Sequence, residues 1–156
     1  MEVLRANQSH KAHVLRLLDD FRTACSAIID PDKQFVSDSA VKLGGPIFDE
    51  VVVDTNAALF LIRDQGEFVG IVTVYKVPQI RKGTYCAEIE ELFVEPQYQG
   101  KGAGTVLLDA VIQWSKEEKL STIRLESSNL LSGAHAFYEK AGFKQYGKAF
   151  ERIETE

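Results

Sequence analysis

The stretch that constrains this chain most runs from Glu88 to Ile112. Glu88 to Val94 reads as a strand, Glu95-Pro96-Gln97-Tyr98 as a turn, and Gln99-Gly100-Lys101-Gly102-Ala103-Gly104 as a glycine-rich loop. The loop opens onto Thr105, where a helix begins, because Leu107, Leu108, Val111 and Trp114 recur at the spacing of one helical face. The first turn of such a helix leaves backbone N–H groups without partners, and its dipole adds partial positive charge. Glycines remove the Cβ atoms that would hold a phosphate away from the backbone. The junction therefore predicts a phosphate-bearing ligand.

Spacing narrows the ligand. A P-loop ends in Gly-Lys-Ser/Thr, whereas Gly102 and Gly104 are followed by Ala103 and Thr105. A dinucleotide fingerprint, G-x-G-x-x-G, counted from Gly100 would need glycine where Thr105 stands. What remains is Q-x-x-G-x-G, from Gln99 to Gly104. Taken alone, that hexapeptide also fits an ordinary glycine turn before a core helix.

A second stretch, Ala134-His135-Ala136-Phe137-Tyr138-Glu139-Lys140-Ala141-Gly142-Phe143, follows after a helix and a strand. In this order the two stretches resemble the GNAT superfamily of N-acetyltransferases, specifically from about Glu88 to Phe143 and upstream only in general pattern. The resemblance implies a mixed α/β (α+β) domain over residues 1–156: a central, mostly antiparallel sheet with one splayed parallel strand pair, flanked by helices. It implies acetyl-CoA as acetyl donor. The pyrophosphate would lie on Gln99, Gly100, Lys101, Gly102, Ala103, Gly104 and Thr105. The pantetheine arm would run along the backbone of Leu92, Phe93 and Val94, with Phe137 and Tyr138 completing the cofactor site. One departure matters. Many members carry an asparagine seven residues before the tyrosine, where this chain has Leu131; Asn129 stands two residues earlier and is not assigned to the cofactor.

Composition sets the frame for that reading. A chain of 156 residues with 45% apolar content is large enough to bury a core as one domain. No apolar run is long enough to span a bilayer, and Met1 to Arg5 lacks the features of a signal peptide, so a cytoplasmic protein without membrane partners is expected. A net charge of −5 argues against nucleic acid. It also means that an anionic cofactor must be held by local dipoles and Lys101 against the overall field. Cys25 and Cys86 lie far apart and read as ordinary reduced thiols. His10 and His13, three apart on a helix, lack a third ligand and read as a solvated face, so no metal is expected.

Taken in order, Val3–Arg5 reads as a strand, followed by a helix carrying Val14, Leu17, Leu18, Phe21, Cys25 and Ile28 and capped by Asn7 or Ser9. Asp30-Pro31-Asp32 ends it. Ser37 is a candidate cap for a short second helix stopped by Gly44-Gly45-Pro46. Residues 47–55 read as a variable segment closing over a substrate or as an acidic surface loop. Ala57–Arg63, Phe68–Val77, Tyr85–Val94 and Thr122–Glu126 read as strands. The last of these is expected to lie parallel to the strand before the loop. Ser132 or Gly133 starts a final helix, and Phe143–Tyr146 with Phe150–Ile153 suggest a closing hairpin.

Three acids intrude where strands expect apolar side chains: Glu90, Glu91 and Glu126. Alternation puts Glu88 and Glu90 on one face and leaves Glu91 opposite, unless a bulge near Glu91 shifts the phase. Acetyl transfer needs a neutral amine, and an alkylamine of pKa about 10.4 is neutral in only about one molecule per thousand at pH 7. A carboxylate, directly or through water, can take the proton. Glu90 is the first candidate, then Glu126, then Glu91. By resemblance Tyr138 protonates or hydrogen-bonds the departing thiolate; the bland alternative is a packed aromatic residue. The acids, with Asp49 or Glu50, favour a cationic primary amine on a small molecule or peptide. A homodimer is left open, and a catalytically inactive acetyl-CoA sensor is the rival.

Overall fold

The computed structural model describes residues 1–153. Five strands form one sheet in the order β1 (Glu2–Arg5), β2 (Ala57–Asp64), β3 (Glu67–Gln79), β4 (Thr84–Val94) and β5 (Ile123–Leu125). Neighbours from β1 to β4 run antiparallel, and β4 pairs with β5 in parallel. The helices are α1 (Lys11–Ile29), α2 (Ser39–Leu43), α3 (Gly45–Val51), α4 (Ala103–Glu117) and α5 (Ser132–Lys140). The expected mixed sheet with one parallel pair is therefore present. Among the described residues no helix is long and apolar enough to cross a membrane.

Alternation along the strands divides the core in two. On one face Ala58, Ile62, Val72, Val74, Ala87, Ile89 and Val94 pack on Leu107, Leu108, Val111 and Trp114 of α4. On the other, Leu59, Leu61, Phe68, Ile71 and Phe93 pack on Val14, Leu15 and Leu17 of α1 and on Phe48 of α3. β2 and β3 are apolar on both sides because both faces are covered.

The phase of β4 changes partway along. Val74 pairs with Ile89 but Thr73 pairs with Glu91, so Glu90 is an extra residue. Before this bulge Ala87 and Ile89 face α4; after it Val94 does, while Phe93 faces α1. One inserted residue therefore turns Glu91 to the α1 side with Phe93. The bulge expected near Glu91 is present.

Asn7 caps a short 3₁₀ turn, Gln8–His10, that leads into α1, and α1 ends just before Pro31. His10 and His13 pack against the Phe68 ring. Gly44 stops the short second helix as expected, but Ser37 does not cap it, since Asp38 is the N-cap. Two further expectations are corrected. Gly44 also begins α3, with proline in its first turn, where its missing N–H costs nothing. Residues 47–51 are accordingly helical, and Asp49 is tied to Lys11 (2.6 Å) and Gln8 at the start of α1. The closing hairpin is also absent, since residues 143–153 form no strand. Phe143, Tyr146, Phe150 and Ile153 recur every three or four residues, a spacing that cannot keep apolar side chains on one face of a strand. Tyr146, Phe150 and Ile153 accordingly stand 78, 93 and 80% exposed.

Asp19, buried in α1, fixes the segment that follows that helix. Its carboxylate accepts hydrogen bonds from the Ser37 hydroxyl (2.7 Å) and the N–H groups of Ala40 (3.0 Å) and Val41 (2.9 Å). Burial pushes its pKa up, but these donors, with Arg22, outweigh burial and hold it below the ordinary value. Asp19→Ala is expected to cost about 2 kcal/mol, since it strands donors that the carboxylate satisfied. Urea denaturation with the midpoint compared to wild type checks this, and Asp19→Asn should fall between the two.

Candidate active site

The glycine loop is held from both sides. Arg16 of α1 donates to Glu95 (2.7 Å) and to the carbonyl of Phe68 (2.7 Å). The Glu95 N–H reaches Val69 O, and the Gln99 side chain donates to Val94 O (2.8 Å). Gly102 is the N-cap of α4 at φ +87°, a left-handed conformation that side chains resist, and it has open space around it. No side chain caps this helix, so its first N–H groups remain available. Lys101 lies over the Tyr98 ring at 5.4 Å. Gly104 serves a different end: a Cβ there would meet the Phe137 ring at 3.3 Å, so glycine lets α5 pack against the start of α4. An open, uncapped helix start of this kind suits a pyrophosphate.

Beyond the loop the sheet splits. The β4–β5 pairing ends at Ile89 with Leu125, and a cavity of about 140 Å³ opens past that point. Ile89, Glu90 and Leu92 line one side, Leu125, Glu126 and Ser127 the other, and Tyr138 of α5 and Phe21 of α1 close it. The structure thus gathers Glu90, Leu92, Glu126 and Tyr138 in one cleft. Phe93 and Val94 are buried core residues on opposite faces of β4; the backbone of Val94, not its side chain, meets Gln99.

Glu91 does not line this cavity but lies beside it, half-buried on the α1 side. It takes a hydrogen bond from the Thr73 hydroxyl, and its own N–H donates to Thr73 Oγ1 (3.1 Å). Burial first, and the negative charge of Glu90 second, raise its pKa to about 7. Tyr75, on the same face, is pushed up to about 12 by burial and by the charges of Glu91 and Glu90. Burial, with a smaller contribution from Cys25 of α1, also raises Tyr138 above the ordinary phenol value. Tyr138 is flanked by the rings of Phe137 (5.4 Å) and Phe143 (5.8 Å). Glu88, the first of the three acids of β4, is paired with Arg124 (2.7 Å). Asp49 does not join the acidic group: Lys11, which holds it, precedes Phe21 by ten helical residues, about 15 Å along the axis.

Sequence reasoning missed Thr73, Tyr75, Ser127 and Phe21. Thr73 carried a signal, a hydroxyl inside an apolar run that is only 2% exposed. Ser127 has a buried Oγ without a hydrogen-bond partner among the described residues, at the cleft wall. Tyr75 and Phe21 look like ordinary strand and helix residues, and only the packing of α1 on β4 brings them here.

A parallel strand pair that separates over an uncapped helix start defines the class of fold, a mixed α/β domain with a split sheet. The sequence pattern of the acetyltransferase (GNAT) family matches residues 17–143, and the chain belongs to that family. Mouse N-acetyltransferase 8B is 30% identical over 97 residues, 62% of this chain and 42% of the relative, so the chain spans less than half of that protein's length. Among solved structures, a transcriptional regulator from Bacillus halodurans superposes with a TM-score of 0.79 at 22% identity, covering 98% of this chain and 99% of its own. A ribosomal-protein-alanine N-acetyltransferase from Brucella melitensis gives 0.73 at 16% identity, covering 98% of this chain and all of its own. At those identities the likeness is one of fold.

The raised Glu91 pKa has a consequence for stability. The carboxyl ionises near 4.5 when unfolded and near 7 when folded, so the folded state binds the extra proton between those values. Stability from this group is present below about pH 4.5 and is lost as pH rises through 7. Glu91→Gln, which cannot ionise, is expected to melt higher than wild type at pH 8, with the advantage shrinking as pH falls toward 4.5. Calorimetry across that range checks it; a difference that stays constant with pH would contradict the raised pKa.

Proposed function

We propose that this protein transfers an acetyl group from acetyl-CoA to a primary amine on a small molecule or peptide. The observation that carries the reading is the cleft itself: a split strand pair joins an uncapped, glycine-lined helix start to a tyrosine and a set of carboxylates. The N–H groups at the start of α4, with Gln99, Gly100, Lys101, Gly102, Ala103, Gly104 and Thr105 around them, would hold the pyrophosphate. The backbone of Leu92, Phe93 and Val94 would hold the pantetheine arm, and Phe137 would pack beside it. When bound, acetyl-CoA supplies an activated thioester.

The chain's own residues then have separable tasks. A cationic amine is drawn to Glu90, which is exposed at the cleft. Glu91 is the base. Its pKa near 7 leaves it about half ionised at neutral pH and makes it a better proton acceptor than a carboxylate at the ordinary 4.5. The sequence order of candidates, Glu90 before Glu126 before Glu91, is thereby changed on the ground of environment. Glu126 is exposed at the far wall and contributes negative charge. Tyr138 donates a hydrogen bond to the departing sulfur. A phenol raised above 10 does not give its proton fully to a thiolate of ordinary pKa about 8.5, so stabilisation of developing charge outweighs complete transfer. A cytoplasmic location accords with two free thiols, Cys25 and Cys86.

Acetyl-CoA at a hundred times its Kd should stabilise the protein by about 2.7 kcal/mol in a melting experiment, while ATP and NAD do not. In an assay of thiol release with polyamines, aminoglycosides and peptide amines as acceptors, Glu91→Gln should lower kcat by roughly 10²-fold or more. Tyr138→Phe should lower turnover while the acetyl-CoA melting shift persists. Acetyl-CoA binding without turnover of any amine would favour a sensor over an enzyme.

A further inference from the structure

Thr73 stands in β3 between Val72 and Val74, in a strand whose central residues are almost wholly buried. A hydroxyl at 2% exposure must be satisfied by protein partners. Glu91 meets it twice, and Tyr75 on the same strand face is a further hydrogen-bond partner. The Glu91 N–H donates to Thr73 Oγ1 at 3.1 Å, and the Thr73 hydroxyl donates to the Glu91 carboxylate. The two contacts are mutually consistent. An oxygen that accepts from the Glu91 amide has its own proton free to donate, and the carboxylate receives it. The bulge produces this pairing, because the register shift between Thr73 and Val74 falls at these residues.

The geometry points to Thr73 as the positioning residue of the reaction, a hydroxyl that fixes the Glu91 carboxylate and favours its ionised form. The inference rests on the reading of Glu91 as base. Burial and Glu90 raise the Glu91 pKa; a donated hydrogen bond acts in the opposite sense, since it stabilises the anion. Thr73 therefore keeps the base from rising past the working pH, while the amide contact fixes the backbone that carries it. The charged and titratable groups around Glu91 are few. Glu90 adjoins it on β4, and Tyr75 faces it from β3 and stays protonated at neutral pH. Glu88 is neutralised by Arg124. Across the cleft stand Glu126 after β5 and Tyr138 on α5, while α1 supplies Phe21 and, next to Tyr138, Cys25.

The experiment is a carbon-13 NMR titration of the Glu91 carboxyl in wild type, Thr73→Val and Thr73→Ser. Valine keeps the shape and removes the hydroxyl. The midpoint should rise by about one pH unit in Thr73→Val, the scale of one hydrogen bond to a charged group, and return to the wild-type position in Thr73→Ser. An unchanged midpoint in folded Thr73→Val overturns the inference. Should valine prevent folding, the wild-type protein decides alone: the Thr73 methyl resonance should titrate with the Glu91 midpoint, and a methyl shift that ignores pH overturns the inference. Activity separates this from the reading beneath it. With an acceptor that turns over, the Thr73→Val deficit should be about tenfold at pH 6 and nearly absent at pH 9, because the acceptor's own protonation cancels in the ratio to wild type. A deficit equal at both pH values overturns the positioning role. Full turnover in Glu91→Gln would instead remove Glu91 as base, and Thr73 with it, whatever the titration shows.

Discussion

The bulge at Glu90 is the constraint on which the rest of the site depends. A strand without it would continue Ala87 and Ile89 into Glu91 and Phe93 on the α4 face, where Leu107, Leu108 and Val111 form an apolar wall. An ionised carboxylate there would have no partner and a large desolvation cost. One extra residue reverses the alternation, so the carboxylate meets Thr73 and Phe93 meets Phe21. The same residue coincides with the end of the β4–β5 pairing at Ile89. The fold thus obtains its cleft and its perturbed acid from one local irregularity.

The two halves of the site are held by different physics. The loop half is backbone: a left-handed glycine, an uncapped helix start and a glutamine that braces the end of β4. Side-chain charge contributes little there beyond Lys101, which suits a chain of net charge −5. The cleft half is side chain and sign: Glu90 and Glu126 line a narrow opening, and Glu91 lies beside it on the α1 side. A protein that is acidic overall can hold an anion at one end of a cleft and attract a cation at the other, because dipoles act within one helical turn and exposed charges are screened over about 8 Å.

Polar contacts anchor the helices on the α1 side of the sheet. Asp19 pins the segment from Ser37 to Val41, and Lys11 with Gln8 pins α3 through Asp49. These contacts explain why a region with no readable motif still has a defined path. They also remove Asp49 from the acidic group at the cleft, since its charge is already met at the far end of α1.

The sequence by itself determined the strand–loop–helix junction, the closing Phe137-Tyr138 helix, all five strands to within two residues at each end, and the family they imply. Those signals are local: glycine permits a left-handed turn, and periodicity reports which face is buried, whatever the rest of the chain does. Tertiary structure decided what period alone cannot carry. It made residues 45–51 helical around the buried Phe48, left Tyr146 and Phe150 exposed where a hairpin was expected, and brought Thr73, Tyr75 and Phe21 to Glu91 and Glu90. Most of all it gave three glutamates that are equal as letters three different environments. A pKa depends on burial and neighbouring charge, and both are properties of distance in space rather than position in the chain.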